Sequence, residues 1–107
     1  AGKEDDDQVI RTHEVVIDLG RRLVTRADTE IHLTPTEFAI LRFLAQHLGR
    51  VVTHDVLLRS VMGPGYENSR GELRVYIAAL RKKLEADPAR PRLLLSEMGV
   101  GYRLRAD

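Results

Sequence analysis

The chain has 107 residues, of which 43% are hydrophobic, and a formal net charge of +1, values typical of one folded domain. It has no cysteine, which excludes disulfides, thiolate metal sites and a thiol nucleophile and favours a reducing, cytoplasmic compartment. No apolar run reaches the ~18 residues that a membrane-spanning helix requires, so we expect no membrane partner.

The N-terminal third is predicted to be a short tail followed by a sheet. Residues 1–8, AGKEDDDQ, are polar and acidic and are predicted to be a flexible tail or a linker. Residues 9–33 carry β-branched side chains in short runs, with a turn cluster at 26–30. We therefore expect a small antiparallel sheet of three or four strands, in a domain that extends over residues 9–107.

Two helices are predicted after this sheet from their end signals. Thr34 is followed three residues later by Glu37, the spacing of a capping box, and Gly49 ends the first helix. Thr53 is the expected N-cap of the second helix, which the Gly-Pro-Gly sequence at 63–65 stops.

A third helix and a hairpin complete the predicted fold. The helix runs from a capping box formed by Ser69 and Glu72 to about Ala86. Residues 93–96 form a strand, MGVG turns the chain back, and residues 102–105, YRLR, form the partner strand. The order of elements predicts an α+β fold, a winged helix-turn-helix with an N-terminal antiparallel sheet, three helices and a C-terminal β-hairpin wing.

Basic charge is concentrated in this C-terminal part of the chain. Residues 69–105 carry nine basic and four acidic side chains, whereas residues 1–68 carry eight basic and eleven acidic ones. At about 100° per residue, the third helix places its apolar stripe opposite a face made of Gly71, Val75, Ala78 and Lys82, with Arg74, Arg81 and Glu85 along one flank. Small side chains on that face suit contact with thymine methyl groups, and cations at its edges suit phosphates.

The last strand also has two unlike faces. Tyr102 and Leu104 face one side and Arg103 and Arg105 the other. A hairpin packed on the core beside a basic helix is typical of a winged helix, whose helix enters the major groove of DNA while the wing contacts the backbone or the minor groove. Two points stay open: a basic helix face is also typical of a merely solvated surface, and Met98 at the wing tip either enters a minor groove or is exposed to solvent.

Four motifs together resemble a known family. They are LTPTEFAILRFLAQHLGRVVT (33–53), LLRSVMG (57–63), RVYIAALRKKLE (74–85) and GVGYRL (99–104). At these separations they are similar to the winged-helix effector domain of OmpR/PhoB-type bacterial response regulators, over about residues 9–105. Within that family, residues 62–92 look most like the Kdp regulators of potassium-uptake genes.

The resemblance implies an architecture and a set of partners. A receiver domain is expected upstream, phosphorylated by a sensor histidine kinase, so that two copies bind tandem half-sites of promoter DNA as a dimer. The resemblance also implies that Val75 faces a base, that Arg81 contacts a phosphate, and that the loop between the second and third helices contacts RNA polymerase. That loop consists of Gly63, Pro64, Gly65, Tyr66, Glu67 and Asn68.

The helical wheel and the strand alternation extend this site. With them, the predicted nucleic-acid-binding residues are Arg70, Arg74, Val75, Ala78, Arg81, Lys82, Arg103 and Arg105. The chain departs from the family at positions where relatives often carry tryptophan or arginine, namely Met62, Gly71, Ala78, Ala79 and Met98. Bidentate readout of guanine by arginine is therefore not expected from the last four positions.

Other classes of function find little support in the sequence. The four histidines lie in different predicted elements, GVG lies in a hairpin rather than before a helix, and no serine has the context of a nucleophile elbow. We therefore expect no enzyme activity, no metal and no cofactor. The alternative function is a winged-helix module that uses the same surface to hold a partner protein, which predicts an exposed apolar patch without surrounding cations.

Overall fold

A computed structural model describes residues 8–106, so most of the predicted N-terminal tail lies outside the described residues. The described chain begins with an antiparallel meander, as predicted. Its strands lie in chain order and are β1 (Val9–Thr12), β2 (Val15–Asp18), β3 (Leu23–Arg26) and β4 (Thr29–Ile31). Ala27 and Asp28, both at positive φ, form the two-residue turn between β3 and β4.

Helices follow in the predicted order: α1 (Pro35–Gln46), α2 (His54–Met62) and α3 (Arg70–Leu84). The capping box of α1 is confirmed, because Thr34 Oγ1 accepts the Glu37 N–H at 3.2 Å and Glu37 Oε1 accepts the Thr34 N–H at 3.0 Å. The predicted cap of α2 is confirmed as well, since Thr53 Oγ1 accepts the Val56 N–H at 3.2 Å.

Both predicted ends of α3 need correction. Within residues 8–106 the Ser69 side chain makes no capping hydrogen bond, because its N–H is bonded to the Tyr66 carbonyl and its backbone is held at φ −93°, ψ 40°, outside the extended region of a regular N-cap. The helix also ends at Leu84 rather than at Ala86. Glu85 turns to extended geometry at φ −89°, ψ 143°, and its carboxylate is bonded to the chain that follows.

The predicted hairpin is confirmed and forms the wing. It consists of β6 (Leu94–Glu97) and β7 (Gly101–Leu104). A short strand that the sequence did not reveal, β5 (Val52–Thr53), pairs with β7, so the sheet order is β5-β7-β6. With the meander, the helices and this hairpin, the fold is the expected α+β winged helix-turn-helix.

One core joins these elements. The meander contributes Ile10, Ile17 and Val24, and each helix contributes its apolar stripe. On the wing, Tyr102 and Leu104 are buried, as the strand alternation predicted.

A buried ion pair ties α1 to α3. Glu37 is 5% exposed, and its Oε1 lies 2.6 Å from Lys83 Nζ. Burial acts to raise the pKa of Glu37, but the hydrogen bonds from Lys83 and Thr34 outweigh it, so the pKa lies below its ordinary value of 4.5. The stability that this pair contributes is therefore fully present above pH 4.5 and is lost as the pH falls through the lowered pKa.

Lys83→Met is expected to lower the free energy of unfolding at pH 7 by about 2 kcal/mol, because it leaves a buried carboxylate without its cation. Urea unfolding at pH 7 and at acid pH measures the effect. The difference from the wild type should shrink in acid, where the carboxylate is protonated. Lys82→Met, at an exposed neighbouring position, is the control and should change stability little. An equal loss at both pH values would contradict the role of the ion pair.

Candidate nucleic-acid interface

The face of α3 opposite the core is exposed, as the helical wheel predicted. Its members Gly71, Val75, Ala78 and Lys82 are all exposed, and Val75 keeps 68% of its surface accessible. An exposed valine at the centre of a helix face, with small residues around it, leaves room for close approach to a flat or grooved surface. The outward face of α3 is therefore available for contact along its whole length.

Positive charge borders the N-terminal half of this face. Arg74 is exposed, and Arg70 Nη2 lies 3.6 Å from Asp55 Oδ1 on α2. His54 is the first residue of α2, and burial lowers its pKa, with the charges of Arg70 and Arg74 lowering it further. Both arginines thus place positive charge at the junction of α2 and α3.

The wing is attached at this same junction. The His54 N–H donates to the Val100 carbonyl at 3.1 Å, and the His54 ring meets the Tyr102 ring edge-on, with 5.5 Å between centroids. The tip beyond is a tight turn in which Gly99 has φ 73°. Met98 at this tip is 96% exposed. The wing therefore presents an apolar tip at a fixed position beside the start of α2.

The predicted basic residues of the wing have different surroundings. Arg103 is partly buried, and its Nη2 lies 3.6 Å from Glu97 Oε2 on the neighbouring strand. Arg105 is exposed, and its backbone N–H donates to the Leu93 carbonyl at 2.8 Å. Their contact with nucleic acid stays a prediction.

Arg81 differs from the other predicted residues because its guanidinium is bonded to the wing. Nε and Nη2 donate to the Leu94 carbonyl at 3.0 and 2.9 Å, and Nη2 also donates to Ser96 Oγ at 2.9 Å. Its flank neighbour Glu85 is buried, at 5% exposure. The helical wheel predicted the direction of the Arg81 and Glu85 side chains, but it could not predict that a strand of the wing lies on that side of α3. The phosphate contact implied for Arg81 stays a prediction.

The loop between α2 and α3 is held by its own acidic residue. Glu67 Oε1 accepts the Gly65 N–H at 3.0 Å, and Glu67 Oε2 lies 3.5 Å from Arg59 Nε. Hydrogen bonds from its own backbone N–H and from Gly65, with the charge of Arg59, hold the pKa of Glu67 below its ordinary value. Tyr66 is 47% exposed on this loop, so an aromatic ring is available for a partner protein.

The described part of the chain has neither a metal-ligating cluster nor a membrane-spanning helix. Within residues 8–106, no group of three or more histidine or acidic side chains is arranged to hold a metal ion. None of the helices in that range is long and apolar enough to cross a membrane.

Comparison with known proteins places this chain in a family. Residues 28–104 match the family described as "Transcriptional regulatory protein, C terminal". The chain belongs to this family. The expected resemblance to OmpR/PhoB-type effector domains, and to the Kdp regulators among them, is thereby confirmed.

Two relatives in this family are transcriptional regulators named KdpE. The chain is 44% identical to KdpE of Mycobacterium tuberculosis over 106 residues, which are 99% of this chain and 47% of that protein. It is 43% identical to the KDP operon regulatory protein KdpE of Escherichia coli over 97 residues, which are 91% of this chain and 43% of that protein. The chain thus spans about half the length of these regulators.

Solved structures of related domains have the same fold. The DNA-binding domain of Klebsiella pneumoniae RstA, solved in complex with its RstA box, aligns with a TM-score of 0.84 at 27% identity, covering 94% of this chain and 99% of that one. Thermotoga maritima DrrB, an OmpR/PhoB homologue, aligns with a TM-score of 0.79 at 34% identity, covering 91% of this chain and 44% of that one. The winged-helix architecture is therefore shared over nearly the whole chain.

Proposed function

We propose that this chain is the DNA-binding effector domain of a two-component response regulator, with α3 in the major groove and the wing on the adjacent backbone or minor groove. The observation that carries the proposal is the exposed face of α3, where small apolar residues are bordered by cations. Val75 and Ala78 would contact thymine methyl groups, and Arg74 and Lys82 would contact phosphates. The cationic border favours DNA over a partner protein as the ligand of this face.

The lengths of the relatives support a larger regulatory protein. Since the chain spans about half of each KdpE regulator, we propose an upstream receiver domain that a sensor histidine kinase phosphorylates. Phosphorylation would bring two copies together on tandem half-sites of promoter DNA. The exposed Tyr66 supports the proposal that the loop between α2 and α3 contacts RNA polymerase.

The similarity to the Kdp regulators suggests which genes this regulator controls. Two of the relatives are KdpE regulators at 43–44% identity over nearly the whole chain, and the Kdp motifs at 62–92 are part of that match. We propose that the operators of this regulator lie before potassium-transport genes.

The salt dependence of DNA binding tests the role of α3. Lys82→Met and Arg74→Met are each expected to weaken binding and to reduce the slope of log affinity against log salt by about 0.9, the value for one lost phosphate contact. The measurement is fluorescence anisotropy with a duplex selected from randomised DNA, over a salt series. Arg21→Met, on the turn after β2, is the control and should keep the wild-type slope. Unchanged slopes in both α3 variants would place the DNA elsewhere.

A further inference from the structure

The start of the wing's outer edge is bonded to side chains from the C-terminal end of α3 rather than to another strand. In the order β5-β7-β6, strand β6 pairs with β7 on one side only. A strand edge exposes backbone N–H and carbonyl groups that need partners. At the start of β6, the N–H and carbonyl groups of Leu94 are bonded to Glu85, the residue just past the end of α3, and to Arg81 in the last turn of α3.

Arg81 binds the acceptors of this edge. Its guanidinium donates twice to the Leu94 carbonyl, through Nε at 3.0 Å and Nη2 at 2.9 Å, and Nη2 also donates to Ser96 Oγ at 2.9 Å. A guanidinium presents its N–H groups in a fixed planar fork. The three bonds therefore fix the side chain against two alternate positions of β6.

Glu85 binds the N–H groups of the first residue of β6 and of the two residues before it. Its Oε1 accepts the Arg92 N–H at 2.9 Å, and its Oε2 accepts the N–H groups of Leu93 at 3.0 Å and Leu94 at 2.7 Å. The residue is 5% exposed, and hydrogen bonds to a buried charged group are stronger than neutral ones. Both the N–H and the carbonyl of Leu94 are thus bonded to side chains at the C-terminal end of α3.

We propose that Arg81 and Glu85, which we name the Arg81–Glu85 clamp, set the position of the wing relative to α3, and that Arg81 is a positioning residue rather than a phosphate contact. The part that concerns DNA rests on the proposed function. A helix and a wing that enter neighbouring grooves must keep a fixed separation, and fixing it before binding avoids the ordering cost at the moment of binding. Arg81 contributes to affinity by holding that separation.

A pair of Arg81 variants separates the two roles. Arg81→Lys keeps the positive charge but loses the planar fork of guanidinium N–H groups, whereas Arg81→Met loses both the charge and the fork. The clamp predicts that both variants bind DNA about tenfold more weakly and keep the wild-type salt slope, while Lys82→Met, the control, loses about 0.9 of slope. A phosphate contact predicts near-normal binding by Arg81→Lys and a reduced slope for Arg81→Met, and that result would overturn the proposal.

Amide hydrogen exchange in the DNA-free chain provides an independent test. Arg81→Lys and Arg81→Met should both speed exchange across β6 and β7 by about tenfold, with α1 unchanged. Glu85→Gln, which keeps the shape of the side chain and loses its charge, should have the same effect even if Glu85→Ala fails to fold. Wild-type exchange in the wing of all three variants would overturn the clamp. Failure of the wild type to bind DNA would overturn the proposed function and leave the exchange result to decide the clamp.

Discussion

Replacing Gly101 with alanine is expected to lower the free energy of unfolding by about 3 kcal/mol, a loss at the upper end for overpacking. A Cβ atom at this position would lie 1.9 Å from the carbonyl oxygen of Val52 and 2.8 Å from Cα of Thr53. Both atoms belong to the backbone of β5, so no side-chain rotation relieves the clash. The pairing of β5 with β7 would have to open, and with it the contact between the wing and the start of α2.

Urea unfolding of Gly101→Ala against the wild type measures this loss, and Gly71→Ala is its matched control. Apart from its chain neighbours and the backbone of its own helix, no described atom would lie within 4 Å of a Cβ at Gly71. Because Gly71 lies in the first turn of α3, alanine there should raise stability by about 0.5 kcal/mol. If Gly101→Ala were as stable as the wild type, β5 and the wing would not be packed this closely.

Val75→Glu is expected to reduce DNA affinity at least about 100-fold, because it places a negative charge at the centre of the face that we propose meets phosphates and base edges. Val75 is 68% exposed, so the substitution should change the free energy of unfolding by less than about 0.5 kcal/mol. Titration of a selected duplex measures affinity, and thermal unfolding shows that the fold is kept.

Val9→Glu is the matched control for this variant. Val9 is 39% exposed on β1, and the substitution changes the net charge by the same amount. Its affinity should stay within about twofold of the wild type, because one distant charge is largely screened at physiological salt. If Val75→Glu and Val9→Glu bound equally well, the exposed face of α3 would not be the DNA interface.

Interactions between residues that are close in the sequence determined most of the fold. Thr34 and Thr53 cap their helices because each hydroxyl needs only a backbone N–H three residues ahead, which the same segment supplies. The exposed position of Val75 and the burial of Tyr102 follow from helix and strand periods, which the sequence shows directly. Ser69 carries the same capping signal, yet the turn before it holds its backbone in another conformation.

The interactions that position the site were decided by the tertiary structure alone. Strand β5 has only two residues, too few to show a hydrophobic pattern in the sequence. It is a strand only because β7 lies beside it. A helical wheel gives the direction of Arg81 and Glu85, but long charged side chains reach several ångströms, and their partners depend on what packs there. The sequence determined which residues face outward. Packing of the elements decided which of the charged side chains are bonded to the wing and which remain exposed.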